Sequence, residues 1–186
     1  MVVAVRARTH NLALESADHV LEVAVGGGHL AAQILPLISE GWYDGVDLTP
    51  EMLERAKQRL ARTSCTNYRL LQGDARALPF KAASYDVLFN TYMLELVPLT
   101  EVPQIFAEFS RVLKPGGRCV VLTCAGGFDS LWQWAYRHWP YIVGVRRGAE
   151  LTKPLQQAGF NIESRSMVKY RGLLSQLLVA VKTESK

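Results

Sequence analysis

Residues 20–31 read Val20-Leu21-Glu22-Val23-Ala24-Val25-Gly26-Gly27-Gly28-His29-Leu30-Ala31, so that an apolar run ends in three glycines and a helical pattern follows. This order predicts a β-strand, a tight turn and a helix. Glycines permit positive φ and a close approach of the backbone to a ligand, and the first N–H groups of the helix are available as hydrogen-bond donors. Because Gly26-x-Gly28-x-x-Ala31 also matches the dinucleotide-binding pattern G-x-G-x-x-G/A, this stretch alone leaves the class of ligand open.

The composition is typical of one globular domain over residues 1–186. Of the 186 residues, 49% are hydrophobic and 20% are charged, which is enough to bury a sizeable core. No apolar run approaches the roughly 20 residues that cross a bilayer, and Arg6, Arg8 and His10 stand where a signal peptide would have its apolar core. We therefore expect a cytoplasmic protein. The formal net charge of +4 comes from basic residues scattered along the sequence, which permits an anionic partner without requiring one.

The three cysteines are an odd number and lack the spacing of a metal site. Cys119 and Cys124 stand in apolar surroundings typical of core thiols. We interpret Cys65, Cys119 and Cys124 as structural residues, and we expect no metal.

Strand and helix patterns alternate along the rest of the chain. The predicted strands are 20–25, 42–46, 68–71, 85–90, 118–123, 161–168 and 176–182. Apolar residues at helical spacing predict four helices. The first begins at about residue 29, the third ends before Lys114, and the fourth lies around 151–158. The second covers 50–60 and has a buried stripe of Met52, Leu53, Ala56 and Leu60. Such alternation predicts a parallel sheet covered on both faces, and two closing strands without a helix between them predict an antiparallel edge.

Five segments follow one another in a recognisable order: 20–31, Val46-Asp47-Leu48-Thr49-Pro50-Glu51-Met52-Leu53, Gly73-Asp74-Ala75-Arg76-Ala77-Leu78-Pro79-Phe80, Tyr85-Asp86-Val87-Leu88-Phe89-Asn90 and Leu113-Lys114-Pro115-Gly116-Gly117-Arg118. With them, the chain resembles the class I S-adenosylmethionine-dependent methyltransferases, in particular the small-molecule branch that includes ubiquinone and menaquinone biosynthesis methyltransferases. The resemblance implies an α/β fold, a Rossmann-like doubly wound sheet of seven strands, mostly parallel with an antiparallel last strand. It also implies S-adenosyl-L-methionine as cofactor.

Asp47 and Asp74 are the predicted contacts to the adenosine part of that cofactor. Asp47 follows Gly28 by 19 positions at the end of a strand, where its two oxygens can accept both ribose hydroxyls, although NAD enzymes use the same arrangement. The resemblance implies that Asp74 accepts from the adenine amine while the Ala75 N–H donates to the ring. The alternatives are a solvated turn aspartate for Asp47 and a turn-forming aspartate for Asp74.

The remaining predicted cofactor-binding residues surround the glycines. A carboxylate within an apolar strand is costly unless it is paired, and the resemblance implies that Glu22 points to the methionine end of the cofactor; a structural salt bridge is the alternative. Ala24 stands where the family usually has glycine, so its methyl group could crowd the cofactor. The rest of the predicted set comes from the motif segments: Gly26, Gly27, Gly28, Leu48 and Asn90.

Little catalytic machinery is expected, because a methyl group on a sulfonium already has a good leaving group and alignment with the acceptor supplies much of the rate. Tyr92 and Glu95, just after the fourth strand, and His138 are the candidates for a catalytic role, each with packing as the alternative.

Residues 128–147 are rich in aromatic and basic side chains, namely Phe128, Trp132, Trp134, Tyr136, Trp139 and Tyr141 with Arg137, His138, Arg146 and Arg147. Three interpretations stay open: a lid packed on the sheet, an apolar pocket for a small-molecule acceptor, or peripheral contact with a membrane. Only 19 residues precede the first strand, fewer than many relatives use to close the cofactor cleft. The cleft is therefore either open or covered by a neighbouring subunit of a homo-oligomer.

Rival functions explain less of the sequence. An NAD(P)-dependent reductase shares the glycine turn and Asp47, but the chain contains no Tyr-x-x-x-Lys pair, and that function leaves the Lys114-Pro115-Gly116-Gly117 turn unexplained. A nucleic-acid substrate is not expected, because Asn90-Thr91-Tyr92-Met93 lacks the proline pair that holds a flipped base and no basic cluster marks a path for a duplex. A noncatalytic module that keeps only the fold remains an alternative. The sequence therefore favours a methyltransferase acting on a small apolar or aromatic acceptor.

Overall fold

A computed structural model describes residues 14–124, 151–170 and 173–184. Its elements are β1 (His19–Val23), α1 (Ala31–Ile34), β2 (Trp42–Asp47), α2 (Pro50–Leu60), β3 (Tyr68–Gln72), β4 (Tyr85–Thr91), α3 (Val102–Val112), β5 (Leu113–Cys124), α4 (Thr152–Gln157), β6 (Phe160–Tyr170) and β7 (Leu173–Lys182). In this described part of the chain, no helix combines the length and the apolar character needed to span a bilayer. The segment 128–147, with His138, lies outside the described residues, so its interpretations stay predictions.

The seven strands form one sheet in the order β3-β2-β1-β4-β5-β7-β6. Strands β1 to β5 are parallel, whereas β7 runs antiparallel to both β5 and β6. This confirms the predicted α/β sheet with an antiparallel last strand. The chain changes direction across the sheet between β1 and β4, and in open α/β sheets the crevice at such a switch point is where ligands bind.

Alternate side chains of the strands face two hydrophobic cores. Leu21, Leu88 and Val121 contribute to the core covered by α3 and α4. Their neighbours Val20 and Val87 contribute to the core covered by α1 and α2. The helix predicted before Lys114 is confirmed as α3, and its inward residues Ile105, Phe106, Phe109 and Val112 are all fully buried.

Two predicted helical features are wrong in detail. The helix expected from about residue 29 is a four-residue α1 followed by a 3₁₀ turn, Leu35–Leu37. Pro36 explains this, because proline has no N–H to donate and clashes with the preceding turn. Met52 is only partly buried and faces a surface cavity instead of joining the fully buried Ala56 and Leu60.

The Lys114–Gly117 turn lies inside β5 instead of ahead of it. Tyr85 of β4 pairs with Leu113, and the next pair joins Val87 to Arg118, so the turn residues loop out of the ladder. Gly116 has a φ of +72°, a conformation that glycine adopts without a steric penalty.

Candidate cofactor site at the carboxyl edge of the sheet

The glycine loop, residues 24–28, follows β1 at the switch point of the sheet. Its backbone turns sharply: φ is +63° at Ala24, +51° at Gly26 and +71° at Gly28. The Val25 N–H donates to the Val46 carbonyl over 2.9 Å, which ties the loop to the end of β2. The loop is thus held at the edge where the parallel strands end.

The glycines of this loop have different roles. A Cβ on Gly28 would lie 3.0 Å from the Cα of Ala56, so Gly28 permits the loop to pack closely against α2. A Cβ on Gly26 would meet no atom within 4 Å, and one on Gly27 would meet only the His29 ring, at 3.8 Å. From the sequence, Gly26 and Gly28 are both expected to permit close approach of a ligand. In the structure Gly28 serves helix packing, whereas the space over Gly26 is open to a ligand.

Asp47 is the last residue of β2 and joins the loop to the start of α2. Its Oδ2 accepts from the Gly26 N–H over 2.8 Å, and its Oδ1 accepts from the Thr49 N–H over 3.0 Å. Each carboxylate oxygen has a second lone pair with which to accept a ligand hydroxyl. The adjacent Leu48 is 61% exposed and presents an apolar side chain at the same edge.

Glu22 lies in the middle of β1 and is almost fully buried. The Tyr43 hydroxyl of β2 donates to its Oε2. Burial raises the pKa of Glu22 to about 8; the charge of Asp47 acts in the same direction and the Tyr43 hydrogen bond opposes it. The same burial, with the charge of Glu22, raises the pKa of Tyr43. Among the residues that the structure describes, the carboxyl is therefore held by a tyrosine hydroxyl and takes part in no salt bridge. Its contact with a cofactor stays a prediction.

Asp74, in the loop after β3, is engaged by Arg76. The Arg76 guanidinium donates to the Asp74 carboxylate, with a shortest distance of 2.5 Å, and to Glu101 over 3.0 Å. These hydrogen bonds lower the pKa of Asp74, so the carboxylate stays ionised. Asp74 and the half-buried Ala75 remain predicted adenine contacts, and Asp74 would need to accept from an adenine amine beside Arg76.

Three buried oxygens at the ends of β4 and β5 have no hydrogen-bond partner in the described part of the chain: Asn90 Oδ1, Glu95 Oε2 and Thr123 Oγ1. Asn90 is positioned because its Nδ2 donates to the Val23 carbonyl over 2.9 Å. Glu95 is positioned because its Oε1 accepts from the Cys124 N–H. A buried acceptor left unsatisfied costs about 1–3 kcal/mol, so such a group is a candidate for receiving a donor from a ligand.

Burial also raises the pKa of Glu95, and the Cys124 N–H partly opposes that change. Thr123 was missed by the sequence analysis, although a hydroxyl residue at the end of the apolar run 118–123 was a usable signal. The predicted catalytic candidate Tyr92 has a φ of +55°, and its hydroxyl lies 2.8 Å from the Ser175 Oγ of β7. Asn90 pairs with Val121 and Glu95 accepts from the Cys124 N–H, so both lie beside the end of β5 that carries Thr123. The Tyr92 hydroxyl instead contacts the antiparallel strand β7.

Comparison with known proteins identifies the family. Residues 20–117 match the model of the methyltransferase domain family, which is more than half of the chain and spans β1 to the Lys114–Gly117 turn. The chain belongs to this family. The matched range contains every predicted cofactor-binding residue of this methyltransferase domain, from Glu22 to Asn90.

Two curated relatives are similar to most of this chain. The chain is 41% identical over 155 residues to the ubiquinone/menaquinone biosynthesis C-methyltransferase UbiE of Dinoroseobacter shibae, covering 82% of this chain and 61% of the relative. It is 35% identical over 128 residues to the demethylmenaquinone methyltransferase of Symbiobacterium thermophilum, covering 66% of this chain and 48% of the relative. This methyltransferase domain thus spans about half to three fifths of the curated relatives it matches.

A crystal structure of a SAM-dependent methyltransferase from Methanosarcina mazei has the same fold. It superposes with a TM-score of 0.81 at 20% sequence identity, covering 95% of this chain and 97% of that chain.

Proposed function

We propose that this methyltransferase domain transfers a methyl group from S-adenosyl-L-methionine to a small apolar or aromatic acceptor. One observation carries the proposal: three motif segments of the family meet at one sheet edge. Asp47 accepts from Gly26 over 2.8 Å, and Asn90 donates to Val23 over 2.9 Å. The glycine loop, the acidic end of β2 and the end of β4 therefore form one wall, with open space over Gly26.

The residues at this edge fit the parts of that cofactor. Asp47 has the free lone pairs to accept both ribose hydroxyls, and the exposed Leu48 offers apolar contact to the adenine ring. Asp74 and the Ala75 N–H are assigned to the edge of the adenine. Gly26 and Gly27 present backbone without side chains in the way, and the unsatisfied Oδ1 of Asn90 is assigned to the ammonium of the methionine end.

When bound, the cofactor supplies a methyl group on a positively charged sulfur that leaves as a neutral thioether. The work of this chain is to hold the acceptor in line with that methyl group, because correct alignment removes much of the entropic barrier. We assign to Glu95 the receipt of a proton from the acceptor, since its Oε2 is unsatisfied and its raised pKa brings it nearer to neutral, where a general base is effective. The unsatisfied hydroxyl of Thr123 then positions the acceptor through a hydrogen bond.

The class of acceptor follows from the names of the relatives and from the sequence. Two relatives are named for ubiquinone or menaquinone biosynthesis and for demethylmenaquinone methylation. Their names support a small aromatic acceptor for this chain. The sequence from 128 to 141 is rich in aromatic residues. The interpretation of this segment as an acceptor pocket agrees with a small aromatic acceptor.

Titration calorimetry with S-adenosylmethionine, its demethylated product and NADH tests the cofactor. We expect saturable binding of the first two and none of NADH; the reverse pattern would contradict the proposal in favour of a reductase. A methyl-transfer assay with small phenol and quinol acceptors then tests the chemistry. Glu95→Gln should bind the cofactor as tightly as the parent but transfer methyl groups more slowly. Substitution of an exposed glutamate, Glu51→Gln, should change neither the cofactor affinity nor the rate of methyl transfer. Cofactor binding without any transfer would instead support the noncatalytic module.

A further inference from the structure

A cavity of about 440 Å³ lies beside the glycine loop, outside the candidate cofactor site. Its walls include Gly27 and His29 from the loop side, and Met52, Arg55, Arg59 and Arg62 from α2 and the turn after it. Small-molecule sites in proteins occupy roughly 300–1,000 Å³, so the volume suits a small ligand. Of the lining residues that the structure describes, only Gly27 also belongs to the predicted cofactor-binding set.

The three arginines of the cavity come from α2 and the turn that follows it. Arg55 and Arg59 are four residues apart on α2, which places them on the same side of the helix, and Arg62 lies in the turn just after Leu60. Within the described ranges 14–124, 151–170 and 173–184, no acidic residue lines the cavity. The acidic residues of the same helix, Glu51 and Glu54, lie outside it, and Glu54 accepts a hydrogen bond from Gln58 over 3.1 Å. The basic residues are scattered along the sequence, but the fold brings these three to one cavity.

Arg59 is held in place by the glycine loop. Its Nε donates to the Gly27 carbonyl over 2.6 Å, and its Nη2 lies 2.9 Å from His29 Nε2. Since a guanidinium can only donate, His29 accepts this hydrogen bond in its neutral form. One guanidinium is therefore oriented before any ligand arrives.

Arg55 and Arg62 have no ion pair and no side-chain hydrogen bond with any residue in the part of the chain that the structure describes. Their side chains are exposed at the cavity. Arg55 and Arg62 are each within four residues of Arg59, and like charges at that spacing repel each other; an anion bound between the guanidiniums would remove that repulsion. Guanidinium groups donate two parallel hydrogen bonds to phosphate oxygens, a geometry that an ammonium cannot match.

We propose that this cavity binds a phosphate or diphosphate group, carried by a small molecule or by a lipid headgroup. The oriented guanidinium of Arg59 and the two available guanidiniums supply the charge, and Met52 supplies an apolar surface for the rest of the ligand. A volume of about 440 Å³ and three lining arginines suit a single phosphorylated ligand, whereas a nucleic-acid duplex is bound by basic residues spread over a longer surface. The proposal is independent of the proposed function, because no arginine of the cavity belongs to the cofactor site.

Inorganic pyrophosphate is the probe for this site. Calorimetry at low ionic strength, without S-adenosylmethionine, should give saturable one-to-one binding. Arg55→Gln/Arg62→Gln should weaken that binding about tenfold to a hundredfold, because charge-assisted hydrogen bonds are lost. Lys57→Gln/Lys81→Gln removes the same charge from exposed residues outside the cavity and should leave the affinity within about twofold of the parent. Thermal unfolding of each variant verifies that it folds.

A second pair of variants separates geometry from charge. Arg55→Lys/Arg62→Lys keeps both charges but loses the forked donors, so its affinity should fall between those of the parent and the glutamine pair. Vesicles of phosphatidic acid, compared with phosphatidylcholine, then identify the source of the phosphate. Competition of the phosphatidic acid vesicles with pyrophosphate supports a lipid headgroup, and absence of competition supports a small phosphorylated molecule.

Three results would overturn the proposal. The first is the absence of saturable pyrophosphate binding. The second is an equal loss of affinity in the arginine pair and the lysine pair, which would mean attraction to net charge alone. The third is binding of duplex DNA in preference to pyrophosphate with the same loss in Arg55→Gln/Arg62→Gln, which would make this face a nucleic-acid surface.

Discussion

The buried carboxyl of Glu22 makes the stability of this fold depend on pH. Glu22 has a pKa of about 8 in the folded chain, against an ordinary value of 4.5, because burial disfavours its charged form. Between those two values the unfolded chain ionises Glu22 while the folded chain keeps it protonated. The free energy of unfolding therefore falls as the pH rises from about 4.5 to about 8 and levels off above that range.

Glu22→Gln removes this dependence, because the amide stays neutral and its oxygen can still accept from the Tyr43 hydroxyl. We expect the variant to match the parent near pH 4.5 and to exceed its free energy of unfolding by several kcal/mol at pH 8, since one pKa unit corresponds to about 1.4 kcal/mol. Urea unfolding at pH 5, 7 and 8.5 measures this. The exposed Glu51→Gln serves as control and should show no such trend. A parent-to-variant difference that is the same at pH 5 and pH 8.5 would contradict the assignment.

Ala24 illustrates backbone strain at the glycine loop. Its φ of +63° lies in the left-handed region, where a Cβ costs roughly 1–2 kcal/mol and glycine costs none. Ala24→Gly should therefore raise the free energy of unfolding by about 0.5–1 kcal/mol, after the extra flexibility that glycine gives the unfolded chain is subtracted.

The exposed Ala83, with a φ of +52°, offers a matched test of the same effect far from the loop. Ala83→Gly should stabilise the protein by a similar amount. Ala32→Gly, in the ordinary helical conformation of α1, should destabilise it by about 1 kcal/mol. If Ala24→Gly behaves like Ala32→Gly in chemical unfolding, the left-handed conformation does not strain Ala24.

At the scale of single elements, helix α3 holds the loop 74–83 in place. Arg111 donates to the Phe80 carbonyl over 2.7 Å and to the Leu78 carbonyl over 3.0 Å. Glu108 accepts from the Leu78 N–H over 2.7 Å and pairs with Arg111 over 2.6 Å. The loop that carries Asp74 is thus fastened to a helix whose other face is in the core.

Arg111→Ala should lower the free energy of unfolding by about 1–3 kcal/mol, because two loop carbonyls lose a charged donor and Glu108 loses its partner. Chemical unfolding gives the size of the loss. The matched control is Arg62→Ala, which removes a guanidinium that makes no hydrogen bond in the described residues and should stay within about 0.5 kcal/mol of the parent. Equal effects of the two substitutions would mean that Arg111 does not fasten the loop.

Elements were predictable wherever local patterning decides them. The stripe of α3 and the strands of the sheet follow from residue periodicity alone, and the order of elements indicates the parallel sheet. The length of α1 was not predicted, although Pro36 was visible, because apolar spacing continues through the proline. The Lys114–Gly117 turn was placed ahead of β5, because the pairing of Leu113 with Tyr85 depends on register across the sheet.

The site was predictable only in part, for the same reason. Asp47 and the glycines are recognisable from local sequence. The contact of Gly28 with Ala56, the hydrogen bond between Glu22 and Tyr43, and the bond from Arg59 to Gly27 each join residues more than 20 positions apart. Such pairs depend on how helices and strands dock, and no local pattern encodes them.

At the scale of the whole molecule, the proposed cofactor joins segments that are distant in sequence, so its binding should stabilise the entire fold. A ligand that binds only the folded state at a hundred times its Kd contributes about 2.7 kcal/mol. For a domain of this size, each kcal/mol raises the Tm by roughly 2–4 °C, so S-adenosylmethionine at that concentration should raise the Tm by about 5–10 °C.

Asp47→Asn should reduce that shift by more than half at the same ligand concentration, because a neutral amide accepts ribose hydroxyls more weakly than a carboxylate. Asp86→Asn is the matched control at the opposite sheet edge, where Asp86 also accepts a backbone N–H, from His19 over 2.9 Å, and pairs with Lys114 over 2.7 Å. It should lower the Tm without ligand yet keep the full shift, since it lies far from the glycine loop. Thermal unfolding with and without the ligand distinguishes the two variants. An undiminished shift in Asp47→Asn would remove Asp47 from the cofactor site.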